Sequence, residues 1–209
     1  MISNRCARKY LVTNCNSIIS KNYLRFLVDS NDIMTKNNEV WFAMSVPVGK
    51  ELETQILLQH CNIEAFLPMC QKITSDSNIP KNAPAIPNLI FVKSTQTIIK
   101  EIKRQIPILQ HLTKPENGKD IPITVSEQTM LQFITIYNNP QNPINYLSPA
   151  EIDISNGTQV RITEGVFNGI EGILLPTQDK SKKNLAIILP DIVAVVVSEI
   201  NPNHIQIIE

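Results

Sequence analysis

The chain has 209 residues and is 43% hydrophobic, enough for one or two compact domains with cores of their own. Its 19 basic residues balance its 19 acidic ones, and neither globular portion carries the Lys and Arg clusters that phosphate-based nucleic-acid binding needs. A protein partner is therefore the expectation.

Residues 1–38 hold six basic residues against two acidic ones, a difference of +4, and show no clean period. They read as an N-terminal extension with a short helix around Tyr23 to Val28. "MISNRCARKY" is polar and reads as no secretory signal, and no apolar run is long enough to span a bilayer. Cys6, Cys15, Cys61 and Cys70 lack zinc-knuckle spacing, so reduced thiols of a cytoplasmic protein are expected.

"VWFAMSVPV" predicts a strand from Val40 to Val46 that is apolar on both faces and ended by Pro47. Gly49 and "KELETQILLQHC" predict a helix, with Leu52 and Ile56 one turn apart and Glu51 and Glu53 at its positive end. "IEAFLPM" is a short strand closed by Pro68. The polar tract from Met69 to Pro87 reads as a long hairpin tip or surface loop, and "NLIFV" as a buried strand. "TIIKEIKRQI" places Ile98, Ile102 and Ile106 on one helical face. Ser126 can cap "EQTMLQFITIY", where Met130, Ile134 and Tyr137 keep helical spacing.

"NNPQNPINYLSP", Asn138 to Pro149, has three prolines, four asparagines and no period, and reads as a linker. The chain beyond it is acidic, with four basic and seven acidic residues from Asp153 onward, a difference of −3. Four of the chain's six glycines lie between Gly157 and Gly172. Val160 and Ile162 alternate with polar residues, and a second apolar run starts at Ile173. Gly165, Gly169 and Gly172 stand where a side chain would be strained or too bulky, so the segment reads as strand, tight turn, strand. "LAIILPDIVAVVVSEI" is rich in β-branched residues, which favours a β barrel over a helical hairpin. "QDKSKKN", with Lys180, Lys182 and Lys183, reads as a solvated loop.

"VRITEGVFNGIEGIL" resembles the KOW motif. With "WFAM", "FLPM" and "IPNLIFV" before it in the right order, the chain from Val40 onward resembles the NusG family of transcription elongation factors, especially its RfaH- and UpxY-type paralogues. The resemblance implies an α+β fold: a ferredoxin-like N-terminal domain with an antiparallel sheet over residues 39–137, a linker over 138–152, and an SH3-like five-stranded β barrel, the KOW domain, over 153–209. It implies a specialised elongation and antitermination factor whose N-terminal domain grips the clamp helices of RNA polymerase through an apolar patch, suppressing pauses and termination. Carried over by position, that patch is Ala43, Ile86, Leu89 and Phe91, with Trp41 beside them as support or contact. The barrel would recruit a further factor, such as the ribosomal protein that doubles as NusE or the termination factor Rho, through Phe167 and Ile170. Weak contacts with nontemplate DNA or nascent RNA and a monomeric state complete the implied picture. The chain departs from the family pattern where only Phe167 remains of two aromatics in the KOW turn, Ile170 taking the second place, and where Leu89 replaces an aromatic after Pro-Asn.

Judged singly, Trp41, Phe42, Phe66 and Phe91 read as core. Phe167 reads as a surface contact, because a turn flanked by Gly165 and Gly169 seldom buries its side chain. His60, His111 and His204 are isolated along the chain, and no grouping suggests a metal, a cofactor or catalysis, so no enzyme is expected. The rival reading is a ribosome-associated or RNA-binding KOW protein, which calls for basic faces with stacking aromatics that this acidic barrel lacks.

Overall fold

A computed structural model describes residues 39–74, 77–139, 142–148, 151–152, 157–176 and 183–208. The extension, its expected helix, Cys6, Cys15, Lys180 and Lys182 lie outside them. In chain order the elements are β1 (Val40–Ser45), α1 (Glu51–His60), β2 (Glu64–Phe66), β3 (Met69–Thr74), β4 (Ser77–Pro84), β5 (Leu89–Ser94), α2 (Gln96–Gln105), β6 (Gln110–His111), β7 (Thr113–Glu116), β8 (Lys119–Pro122), β9 (Thr124–Val125) and α3 (Glu127–Tyr137). Then come β10 (Ile144–Leu147), β11 (Thr158–Ile162), β12 (Glu171–Leu175), β13 (Lys183–Leu189), β14 (Val193–Ile200) and β15 (Ile205–Ile207). Two compact units result among the described residues, one from 39–67 plus 87–112, the other from 68–86 plus 113–208.

In the first unit the strands run β2, β5, β1, β6, all antiparallel. Trp41 to Met44 and Leu89 to Val92 are buried without alternation, as expected of central strands covered on both faces. α1 turns a different stripe inward from the one its sequence predicts. Glu51, Thr54 and Leu58 are buried, whereas Leu52 is 51% exposed. The cause is the Glu51 carboxylate, which accepts hydrogen bonds from the backbone N–H groups of Gly49 (2.6 Å) and Asn88 (3.2 Å) and thereby sets the rotation of the helix. Asn88 stands at φ 63°, and its carbonyl accepts from Val46 N–H, so one acid pins the turn that launches β5. Glu51→Ala should cost about 1.5–3 kcal/mol, the range for hydrogen bonds to a charged group. Thermal unfolding of the variant beside wild type checks this, and an unchanged midpoint would show the bonds to be dispensable.

α2 starts at Thr95, whose hydroxyl accepts from Ile98 N–H at 3.3 Å. Ile102 and, just past the helix end, Ile106 are buried as expected, whereas Ile98 is only half-buried and Ile99 is buried in its place.

The second unit centres on a six-stranded antiparallel sheet in the order β10, β14, β13, β12, β11, β15. Its core holds Val160, Ile162, Leu185, Leu189, Ile200 and the run Val193 to Val197. The expected hairpin around the glycines is present, with Thr158 opposite Leu174 and Arg161 opposite Glu171. Each of these three glycines, two in the turn and one in β12, has its reason. Gly165 and Gly169 sit at φ 78° and 85°, and a Cβ on Gly172 would stand 2.6 Å from the Ala186 carbonyl oxygen. From residue 158 to 207 every regular element described is strand or one of two short 3-10 turns, Gly165–Phe167 and Pro202–His204, in line with the β reading.

Ser126 caps α3 as expected, its hydroxyl accepting from Thr129 N–H at 3.1 Å. The helix packs on β13 and buries Met130, Phe133 and Ile136, with Ile134 and Tyr137 half-buried. The polar tract after Met69 forms the β3–β4 hairpin, tied to α3 by a hydrogen bond from Met69 N–H to the Tyr137 hydroxyl (3.2 Å). A second hairpin, β7–β8, turns at Asn117 and Gly118, both at positive φ; the Asn-Gly pair is its sequence signal. Within the tract expected to be a linker, Ile144–Leu147 is strand β10, paired with β14.

Tyr146 of β10 meets Phe133 edge-on, ring centroids 6.1 Å apart. Burial, then the neighbouring Cys70 and Tyr137, pushes its phenol up to about 12. A raised acid pKa means the folded chain keeps a proton that the unfolded chain loses near 10, so this contribution to stability is present below pH 10 and disappears as pH rises through 12. Alkaline difference spectroscopy against Tyr146→Phe should show one phenol ionising near 12 that the variant lacks.

Candidate functional site

Cross-strand partners share a face of the sheet, and so do residues two apart along a strand. The registers of the first unit therefore define three rows on one face: Trp41, Lys93 and Glu64; Ala43, Phe91 and Phe66; Ser45 and Leu89. Four of the five residues expected to hold the polymerase, Trp41, Ala43, Leu89 and Phe91, are thus brought onto one face. Ile86 is not among them. It lies in the bend before Pro87, outside any strand, and is half-buried.

That face is not an open patch as it stands. Ala43 and Phe91 are 0% exposed, Trp41 2% and Leu89 3%. The expectation of an exposed apolar groove at these side chains is corrected accordingly: β1 and β5 are inner strands, and their side chains are core. What remains accessible lies at the β2 end. Phe66 is half-buried, with its ring centroid 6.4 Å from that of Phe91. Lys93 stands with its Nζ 5.8 Å from the centre of the Trp41 ring and 4.0 Å from the Glu64 carboxylate, whose side chain is largely exposed. Sequence reasoning placed Phe66 in the core and did not weigh Lys93 or Glu64. Only the strand register shows that all three continue the rows of Trp41 and Phe91.

The opposite face carries Phe42 and Met44. The His111 ring lies 5.5 Å from that of Phe42, and burial first, then the charge of Lys103, lowers its pKa. A neutral, half-buried imidazole packed beside Phe42 has a structural role.

In the second unit the KOW-like turn corrects another expectation. Phe167 is 5% exposed and Ile170 4%, so neither offers a surface. The turn closes on itself through Gly169 N–H to the Ile162 carbonyl, Ile162 N–H to the Ile170 carbonyl and Ile170 N–H to the Phe167 carbonyl, which folds the Phe167 ring inward. Val166, 49% exposed, is the apolar side chain left at the tip. Glu164 pairs with His204 at 3.3 Å beside it, and His204 carbonyl accepts from Thr163 N–H.

Among the described residues no three His, Cys, Asp or Glu side chains are grouped to hold a metal, and no helix is long and apolar enough to cross a membrane.

Helices laid with antiparallel sheets, in two units, make this an α+β protein. Residues 39–134 match the family model of NusG, described as transcription termination factor nusG, and that match supports a NusG-family protein. That family comprises non-enzymatic transcription elongation and termination factors that bind RNA polymerase. No curated protein matches the chain. Among solved structures it is similar to one described as "Domain interaction in Thermotoga maritima NusG", at 12% identity, covering 83% of this chain and 99% of that chain with a TM-score of 0.44.

Proposed function

We propose that the protein is a specialised, cytoplasmic transcription elongation and antitermination factor. Its residues 39–137 act as a ferredoxin-like domain that binds the clamp helices of RNA polymerase and suppresses pausing and termination. Residues 153–209 act as an SH3-like KOW barrel that recruits a further factor, joined to the first domain by residues 138–152, of which Ile144–Leu147 adds strand β10 to the barrel's sheet. The observation that carries this reading is the family match over residues 39–134. The rows that gather Trp41, Ala43, Leu89 and Phe91 on one sheet face add support, since a helical partner laid against an apolar surface is a recurring mode of recognition.

Burial divides the roles. Ala43, Leu89 and Phe91 shape the surface from beneath, while Phe66, Lys93 and Glu64 make the contact. In the barrel, Phe167 and Ile170 hold the turn and Val166 presents it. Transcription in vitro with the cognate polymerase, on a template carrying a terminator and any recruiting DNA element, tests the reading. Wild type should raise readthrough, and Phe66→Ala should lower it with the fold intact by circular dichroism. Readthrough equal with and without the wild-type protein would sink the proposal.

A further inference from the structure

β14 contains "VAVVV", Val193 to Val197, five uncharged apolar residues of which four are β-branched. A strand of that composition, if one of its edges were open, would be a template for pairing with another chain. In the sheet one side of β14 is taken by β13, and the other by β10 alone. β10 comes from the Asn- and Pro-rich tract, whose composition favours a loop, and yet it is fastened to β14 along its length.

The register sets Ile144 opposite Val197 and Leu147 opposite Ala194. Ahead of the strand, Ser198 N–H donates to the Pro143 carbonyl at 3.0 Å, and the Asn142 amide donates to the carbonyls of Ser198 (2.9 Å) and Glu199 (3.2 Å). Glu199 stands at φ 64°, beside the register shift between β13 and β14, so Asn142 secures the one irregular point of the strand. Behind, the Glu151 carboxylate accepts from Ser148 N–H at 2.7 Å. Tyr146 adds its ring contact with Phe133 of α3.

We infer that Asn142–Leu147 is an edge strap: it closes the β14 edge, and when it lifts, that edge pairs with a second copy of this chain. The strap is short, and its exposed Asn145 and Pro143 contribute little burial, so its hold rests on the ladder, the Asn142 amide and the Tyr146 ring contact. The occupant of the opened edge is a second copy because the uncharged valine run is complementary to itself, with no charge to repel its twin.

Hydrogen-bonded pairs alternate along an antiparallel ladder, so the Pro143–Ser198 bond makes Asn145–Val196 the next such pair. Asn145→Pro in the full-length chain removes that N–H from an exposed position. Expected are faster hydrogen exchange at the amides of residues 194–198 and a mass by light scattering that rises with concentration, while wild type and Asn145→Ser stay monomeric and protected. Asn142→Ala, which leaves the backbone intact, should shift both readouts the same way to a smaller degree and stands in if Asn145→Pro does not fold. Unchanged exchange in Asn142→Ala and in a folded Asn145→Pro would show that the strap does not guard the edge. Faster exchange with a concentration-independent monomer mass, or a wild type already associated, would overturn self-pairing.

Discussion

Phe167→Ala should lower the melting temperature by roughly 6–20 °C, on the usual cost of about 3–5 kcal/mol for a buried Phe and about 2–4 °C per kcal/mol at this chain length. The side chain sits under a turn closed by three backbone hydrogen bonds, and removing it leaves a void that the closed turn cannot fill. Val166→Ala, one residue away and half-exposed, should change stability by about 0.5 kcal/mol or less. Differential scanning calorimetry on the pair checks the contrast. Equal midpoints would return Phe167 to the surface and restore it as a direct contact for whatever the barrel recruits.

Leu89→Glu is expected to unfold the first unit. An unpaired carboxylate at a position 3% exposed costs several kcal/mol, a large part of a total stability of about 5–15 kcal/mol. Trp41, the chain's one tryptophan, lies on the same face and reports the event, since its emission shifts to the red when water reaches it. A variant that keeps buried tryptophan emission and yet fails to bind polymerase would make Leu89 a contact residue after all. Loss of binding together with a red shift is the expected result, and it says nothing about the interface. The interface is probed at Phe66, where a substitution leaves the inner strands in place.

Much of the fold was legible in local signals. The β1 and β5 strands read as continuous apolar runs, the Ser126 cap started its helix on the residue expected, and Gly165, Gly169 and Gly172 marked the hairpin that forms. Each is decided within a few residues, by backbone sterics, a side-chain cap or the burial pattern of one strand. The β7–β8 hairpin was equally legible in its Asn-Gly turn and was missed, because the flanking residues do not alternate in polarity.

The candidate site was legible only as a set of residues, since pairing partners come from distant parts of the chain. That Trp41 stands beside Lys93 and Glu64, and Ala43 beside Phe91 and Phe66, follows from the register of three strands and from nothing local to any of them. The rotation of α1 was decided by Glu51 reaching Asn88, 37 residues on, so the apolar spacing of Leu52 and Ile56 misled. β10 was invisible for the same reason: Asn and Pro make a poor strand alone, and its N–H and C=O groups are ordered by the open edge of β14. Phe167 reads as exposed from its glycine neighbours, and is buried because the hydrogen bonds of Ile162 and Ile170 fold the turn back over the sheet. Local chemistry thus settled which segments became strands, helices and turns, whereas burial at each side chain waited on long-range pairing, because a side chain's share of water depends on what the rest of the chain lays against it.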